Sequence, residues 1–479
     1  MQIKLHYIIL LTILCSCGND TKNIPETPVI PEEPSQPEEP SNPDIPGDAE
    51  EKAYIFPSEV VDSLKGKEII IKNEMFVTTS YRTSPTGNVT LSSKVLNVPT
   101  EVVLPASNDY SALLNSNIED RLVIIPGNYK LINPFTGTLR IGASFTKLKG
   151  KLSVIGGKYA LTLTQQPEVD NNERPQLPNV GNYNMKLASM NLEYYMASPS
   201  AWGSSNGAKS KEAFLRQRTK IVEAMKMIDA DVYAICEIEE GNYSPQELAN
   251  ALNDAVNSTT QKYKVIDTGD TKISTYTKNV FIYNSDKVKT YLDCKSYDGT
   301  YLKLRHVVQC FELKDNGARV IVAMNHFKSK AGSNATGSDK DQNDGQSQFN
   351  AKRVQEAKDC VSTYERLKAY YGDNDVLVLG DLNSYSMEDP IKIFTTSGYT
   401  NELKKYSADR WSYLYNGEVG YLDHSLSSST LTNQVTGAAP WDINASEPSY
   451  FEYQYTTYYN PDPYRYSDHN PIITGLRLK

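Results

Sequence analysis

Six short polar stretches carry the residues able to do chemistry, and each adjoins an apolar run. Asn191 closes the run 185–190, Glu237 closes 231–236, and Asn325-His326 closes 320–324. Gly380-Asp381-Leu382-Asn383 follows 376–379, Leu422-Asp423-His424 forms a fifth stretch, and Ser467-Asp468-His469-Asn470 precedes the last run, 471–476. Taken singly, Asp and Asn also cap turns, and Glu237 is equally able to form an ion pair. Repeated at the ends of strands in one domain, these acids, amides and imidazoles converge on one rim of a sheet. Of five histidines, His326, His424 and His469 lie in these stretches, and His306 lies nearby after Arg305.

The residue types narrow the chemistry. Carboxylates and side-chain amides are hard oxygen ligands, suited to Mg²⁺, Mn²⁺ or Ca²⁺. A zinc site would use Cys and His at short spacing, and no such cluster occurs. Ser467, Asp468 and His469 are adjacent, so on an extended segment their side chains alternate direction, and no nucleophile-elbow sequence is present. Carboxylates, a divalent ion and two or more histidines suit attack of water on a phosphorus ester.

The elements that must position these residues are legible as periodicities. Strands are expected at 185–190, 231–236, 279–283, 307–313, 320–324, 376–379 and 471–476, with helices at 211–228, 245–256 and 350–370. In 211–228, Phe214, Leu215, Ile221, Val222, Met225 and Ile228 share one face. Strands and helices joined by short connections make an α+β layered fold with helices outside packed sheets. Residues 54–169 read differently. Short β-like runs at 68–71, 88–91, 121–125, 138–141, 151–155 and 159–163 are separated by Gly, Pro and Asn, which indicates a small all-β barrel or sandwich. Residues 170–184 read as a linker.

Several segments also carry a family resemblance: Ala188 to Asn191, the runs 214–224 and 229–240, NHFKSK at 325–330 and the run 339–357. GDLNSYSMEDPI at 380–391, GYLDHSLSS at 420–428, WDIN at 441–444 and YRYSDHNP at 464–471 complete the set. Residues 185–479 on this basis resemble the endonuclease/exonuclease/phosphatase superfamily, DNase I-like, and within it the secreted bacterial nucleases of the ExeM/NucH kind. The resemblance implies a four-layer αββα sandwich preceded by an OB-like domain. It implies that Asn191, Glu237 and Asp468 form the metal site, and that Asp381 and Asn383 position water and the scissile phosphate. His469, oriented by Asp423, would contact phosphate and transfer protons, and His326 would stabilise the transition state or help protonate the leaving oxygen. Arg305, Lys328, Lys330 and Arg353 are candidates for flanking phosphates, with ordinary surface charge as the competing account. His424 is a candidate structural hydrogen-bonder, and seven tyrosines between 450 and 466 either stack on bases or pack on their own domain. Against the usual family pattern, Cys236, Glu193, Tyr194 and Asn470 stand out.

The implied activity is a metal-dependent nuclease acting on DNA or RNA by in-line attack of water. A phosphatase or sphingomyelinase-like lipid phosphodiesterase on the same scaffold is the alternative, and an inactive surface-binding lipoprotein a third reading.

The remaining segments set compartment and reach. Lys4 precedes a short apolar run at 8–14 that ends in Leu14-Cys15-Ser16-Cys17. This resembles a bacterial lipobox, so 1–17 is expected to be a signal peptide, with Cys17 lipidated and the protein anchored in the cell envelope. An outer membrane of a Gram-negative cell, facing outside or the periplasm, is the expected location, and no obligate protein partner is evident. Within 18–53, prolines recur every third residue from 25 to 46, the period of polyproline II. At ~3.1 Å per residue that stretch reaches roughly 70 Å, a spacer. The formal charge of −9 is misleading, because residues 24–51 hold nine acidic and no basic residues, leaving −9 − (−9), or zero, for the rest. No bulk basic field therefore exists to hold nucleic acid by charge alone. Length (479 residues) and 39% hydrophobic content suffice for two folded units. Cys236, Cys294, Cys310 and Cys360 leave disulfides open, with Cys236 expected as a buried thiol.

Overall fold

The computed structural model describes residues 52–79, 87–131, 139–204, 206–266, 276–296, 305–407 and 411–479. The leader, Cys17 and the proline-rich spacer lie outside the described residues.

Residues 185–479 form two six-stranded mixed sheets. The first runs in the order Tyr263–Val265, Thr277–Asn284, Val232–Glu239, Met185–Tyr195, Ile472–Leu476, Val435–Pro440. The second runs Val288–Ser296, His306–Leu313, Arg319–His326, Val376–Asp381, Asp423–Ser427, Thr400–Asn401. Period-two alternation explains how they stack. Met185 and Leu187 face a core shared with Val320, Val322, Met324, Leu377 and Leu379 of the other sheet. Ala188 and Met190, one residue out of phase, face Ile221, Met225 and Leu248 of the helices Lys211–Ile228 and Tyr243–Ala255. The outer face of the second sheet is covered in the same way by Asn350–Tyr371 and Asp389–Thr396, through Ala357, Cys360, Ile391 and Phe394. The result is helix, sheet, sheet, helix: an α+β sandwich of four layers. Each fully buried aliphatic or Phe side chain contributes about 1.5–3 kcal/mol to it.

Helix Lys211–Ile228 starts where Ser210 accepts a hydrogen bond from the Ala213 amide, and stops at Asp229 in the left-handed conformation (φ 45°). Its buried face contains Phe214, Ile221, Val222, Met225 and Ile228, as the periodicity requires.

Strand direction brings the polar stretches together. Each sheet holds one parallel pair among the described strands: Met185–Tyr195 with Val232–Glu239, and Arg319–His326 with Val376–Asp381. Parallel partners end at the same edge, so Asn191 pairs with Cys236 beside Glu237, and His326 pairs with Asp381. Asp423 pairs with Asp381 from the antiparallel side. Ile472 pairs with Ser189, which sets the start of that strand, just after His469, at the same rim.

Residues 54–170 build a curved sheet. Its ladder runs Glu68–Ile71, Leu148–Ile155, Lys158–Leu163, Leu122–Ile125, Val89–Ser92, Met75–Thr79, with three short strands at its ends. The first and last of these six are separated only by residues 72–74, so the ladder returns on itself around Val77, Leu91, Leu122, Ile124, Leu148 and Leu161. The expectation of an all-β unit needs amendment. A twelve-residue helix, Asn108–Glu119, is inserted before Leu122–Ile125, with Ser107 accepting from the Tyr110 amide as its N-cap. Its weak amphipathicity hid it, since only Asn117 on it is buried. No strand forms at 139–141; residues 132–138 lie outside the described set.

Residues 51–479 form one compact unit, so the barrel is not a separate lobe on a free linker. Arg140 of the barrel, 1% exposed, pairs with Glu447 and Asp442, and Arg121 pairs with Glu418 at 2.7 Å. The expected linker is itself laid down: Arg174 bonds Glu447, and Trp441 Nε1 donates to the Pro175 carbonyl. All four described cysteines are free thiols, and Cys236 is buried.

Candidate active site

Glu237 and Asp381 are the centre of the rim. Asn191 Nδ2 donates to Glu237 Oε1 at 3.2 Å and lies 3.4 Å from Asp381 Oδ2, so one amide ties the two sheets' carboxylates together. His326 Nε2 stands 3.7 Å from each of the same two oxygens. The ligand atoms of Glu237, His326 and Asp381 all lie within 4.8 Å of one another. On the other side, His469 Nε2 is 3.9 Å from Asp381 Oδ2, while its Nδ1 bonds Asp423 Oδ2 at 2.7 Å.

Local backbone geometry explains why these side chains turn into the rim. Glu237 adopts φ 56°, Asn383 φ 46°, Glu193 φ 48° and Tyr194 φ 59°, all left-handed. Each such residue costs about 1–2 kcal/mol. The ladder slips between Asn191 and Tyr195 and between Ile235 and Ile238, so both strands bulge where their functional residues sit. Asn383 is held by its own amide donating to Asp381 Oδ1 at 2.8 Å and by Nδ2 donating to the Phe327 carbonyl at 3.1 Å. Gly380, φ 123°, has no substitute: a Cβ there would collide with the Asn325 carbonyl oxygen across the parallel ladder.

Electrostatics divide the two histidines. Burial, reinforced by Arg305 and His469, holds His326 well below the usual imidazole range, so it is neutral. Burial also works against charging His469, but the carboxylates of Asp423, Asp468 and Asp381 outweigh it and hold its pKa well above the usual value. Burial pushes Asp381 up to about 7, against the pull of His469 and with Asp423 and Glu237 adding to the rise. Glu237 is raised as well, by burial and then by Asp468. Two buried carboxylates facing one another are destabilised as anions, and a bound cation relieves that.

The remaining candidates separate. Asp468 is partly exposed, with Oδ1 4.0 Å from His469 Nε2. Arg305 and Lys328 line a hollow of about 530 Å³ with Tyr194, Lys352 and Glu356. Lys330 and Arg353 do not fit a phosphate-binding role. Lys330 Nζ lies 2.7 Å from both oxygens of Glu388, and Arg353 is buried with its guanidinium donating to the carbonyls of Gln346, Gln348 and Lys328. Both cations are spent on holding the loop before helix Asn350–Tyr371. His424 Nε2 bonds the Ser384 carbonyl at 2.7 Å, a structural role. In the tyrosine-rich segment Tyr453 and Tyr466 are buried, and Tyr464 stacks on Arg174, whereas Tyr455 is exposed. Asn470 pins the 444–445 backbone, accepting from both amides.

Three residues escaped the sequence reading. Tyr413 packs its ring against His469, 4.5 Å between centroids and tilted by 34°. Ser412 Oγ accepts from the Asp423 amide at 3.1 Å. Both stand at the base of a hairpin, Tyr413–Tyr415 with Glu418–Gly420, turning at Asn416-Gly417 with φ 50° and 81°. That Asn-Gly pair between aromatic residues was the available signal. The third is Glu101 of the barrel, a buried carboxylate accepting from Ser386 and from the Tyr421 amide.

No protein-family model matches the chain, and no curated protein does. Among solved structures, an endonuclease/exonuclease/phosphatase from Bacteroides vulgatus aligns at 15% identity and a TM-score of 0.42, covering 62% of this chain and 99% of that one. The catalytic domain of human Nocturnin, with bound sulfate, aligns at 14% identity and 0.42, covering 63% and 97%. A mannosyl-6-phosphatase from Bacteroides thetaiotaomicron aligns at 16% and 0.42, covering 61% and 99%. In residues 185–479 of this chain, strand order and sheet pairing make a four-layer α+β sandwich with the polar stretches at one rim.

Proposed function

We propose that this protein is a divalent-metal-dependent hydrolase of phosphodiester bonds, with nucleic acid as its substrate. The observation that carries the reading is the carboxylate pair of half-buried Glu237 and buried Asp381, flanked by a neutral His326 and an Asp423-oriented His469. The donor set fits a hard cation. Among the described residues the close ion-pair partners of this carboxylate pair are histidines, and Arg305 acts on Glu237 only from longer range. Glu237 would hold the ion together with Asn191, whose amide oxygen and nitrogen exchange places by a flip, and with Asp468 nearby. A bound Mg²⁺, Mn²⁺ or Ca²⁺ supplies charge neutralisation of the phosphate oxygens.

The chain's own residues do the rest. Asp381, raised to about 7 and facing His469, takes the proton of the attacking water, and Asp423 holds His469 in the orientation that leaves Nε2 facing Asp381. His326, neutral, donates a hydrogen bond to a phosphate oxygen as charge develops on it. Asn383 holds the phosphate from the loop side. Water oxygen bonds phosphorus, the opposite P–O bond breaks, and the departing oxygen takes a proton from solvent water, with no covalent enzyme intermediate.

The nuclease branch rests on the matches at 325–330 and 339–357, and anchoring through Cys17 in the cell envelope rests on the leader sequence. A phosphatase or lipid phosphodiesterase is favoured by one observation: Glu193 and Asp468 line a hollow of about 630 Å³ beside the site, a poor neighbour for a polyanion. Purified protein incubated with plasmid DNA, RNA, sphingomyelin and a phosphomonoester, with Mg²⁺, Ca²⁺ or EDTA, decides among these. Metal-dependent cleavage of DNA or RNA is the expected result. Turnover of only lipid or monoester moves the assignment to the second reading, and no turnover at all ends the enzymatic one.

A further inference from the structure

Beside the catalytic rim lies a cavity of about 690 Å³ that neither domain builds alone. One wall is the barrel helix Asn108–Glu119, presenting Tyr110, Leu114 and Ile118; the other is the hairpin carrying Tyr413 and Tyr415; Asn383 reaches its floor. Tyr413 also packs against His469, so the cavity and the proposed reacting centre share that side chain. The walls are fixed relative to one another. Arg121 donates to the Asn416 carbonyl and to Glu418, both at 2.7 Å, and the Val98 amide donates to the Val419 carbonyl at 2.9 Å.

Charge distinguishes this cavity from the other flank of the site. Its Arg121 is neutralised by Glu418 and its Lys330 by Glu388, while Lys158 and Asp341 balance. The hollow on the far side holds Arg305, Lys328 and Lys352 against Glu356, with Lys352 also paired to Asp339 at 3.6 Å, so two cations face one carboxylate there. Tyr415 is 65% exposed and Ile118 54%, an open ring and an aliphatic surface with no net charge between them. Phosphates are drawn to the far flank, and planar uncharged groups to this one.

We propose that the barrel-side cavity is a base-binding subsite: it takes an unstacked nucleobase adjoining the scissile phosphate of a single strand, against Tyr415 and the barrel helix. The assignment rests on the nucleic-acid reading above. It gives the barrel a part in substrate selection, and it makes single-stranded segments better substrates than stacked duplex, whose bases are not free to enter.

The test uses the full chain with Mg²⁺ and two single-stranded oligomers of equal length, one bearing bases and one abasic throughout. Wild-type protein is expected to show a KM about tenfold lower for the base-bearing oligomer, the scale of one stacked base. Tyr415→Ala and Ile118→Asp, both at exposed positions, are expected to remove most of that advantage while leaving abasic turnover unchanged; Tyr415→Phe keeps it. An advantage untouched by both variants, or equal KM values in the wild type, overturns the subsite while leaving the nuclease reading standing. Cleavage of neither oligomer overturns the nucleic-acid reading and the subsite with it.

Discussion

His469 and Asp423, 46 residues apart in the chain, meet through a 2.7 Å contact between Nδ1 and Oδ2, both side chains buried. The contact leaves Nε2 as the only ring nitrogen facing the reacting centre. Asp423→Asn keeps the shape but reverses the hydrogen-bonding demand on Nδ1. It is expected to lower kcat by about 10²–10⁴ with KM little changed. Steady-state kinetics on the best phosphodiester substrate check it, and an unchanged kcat would show the pair to be structural only.

Metal binding has a readout independent of turnover. A ligand at 100 times its Kd stabilises the folded state by about 2.7 kcal/mol. Mg²⁺ or Mn²⁺ titrations are expected to raise the Tm of the wild type, and Glu237→Gln is expected to abolish that rise. The variant's own Tm without metal should be equal to or above the wild type's, because it removes one of two mutually repelling buried carboxylates.

Glu101 links barrel to catalytic loop. It accepts from the Ser386 amide and hydroxyl and from the Tyr421 amide, so it braces 381–389 and the approach to Asp423 together. Burial raises its pKa to about 7. Glu101→Ala strands these donors and is expected to cost about 2–3 kcal/mol in denaturant unfolding, with kcat reduced more than KM is raised. Glu101→Gln, which retains an acceptor, should recover most of both.

Acid stability follows from two buried histidines that are not among the candidate metal ligands. Burial holds His306 and His424 down to about 4, against 6.5 for a free imidazole. Between those values the unfolded chain binds more protons than the folded one, so stability is full above pH 6.5 and falls as pH drops towards 4. Each site accounts for up to about 3 kcal/mol. Urea midpoints measured from pH 7.5 to 4 should fall through this window, less steeply in a His424→Gln variant that still folds.

The convergence of the polar stretches on one rim was legible because its logic is local. Asn191, Glu237, His326, Asp381, Asp423 and His469 each adjoin an apolar strand, and parallel pairing at two places puts strand ends on one edge. Lys330 and Arg353 were misleading for the opposite reason. Their charge is visible in the sequence, but Glu388 and the carbonyls of 346–348 that consume it meet them only after folding. The barrel helix was hidden because it buries so little, and Tyr413 because its neighbour His469 is far along the chain. Glu101 has no sequence signal, since its partners Ser386 and Tyr421 belong to another layer.

The most direct test of the central claim is hydrolysis of a DNA or RNA strand by the wild type and by His469→Ala, each with Mg²⁺ and with EDTA. The arrangement of Glu237, Asp381, His326 and His469 predicts metal-dependent cleavage by the wild type, lost with EDTA and lowered by orders of magnitude in the folded variant. Equal rates in the variant, or rates indifferent to EDTA, would contradict it.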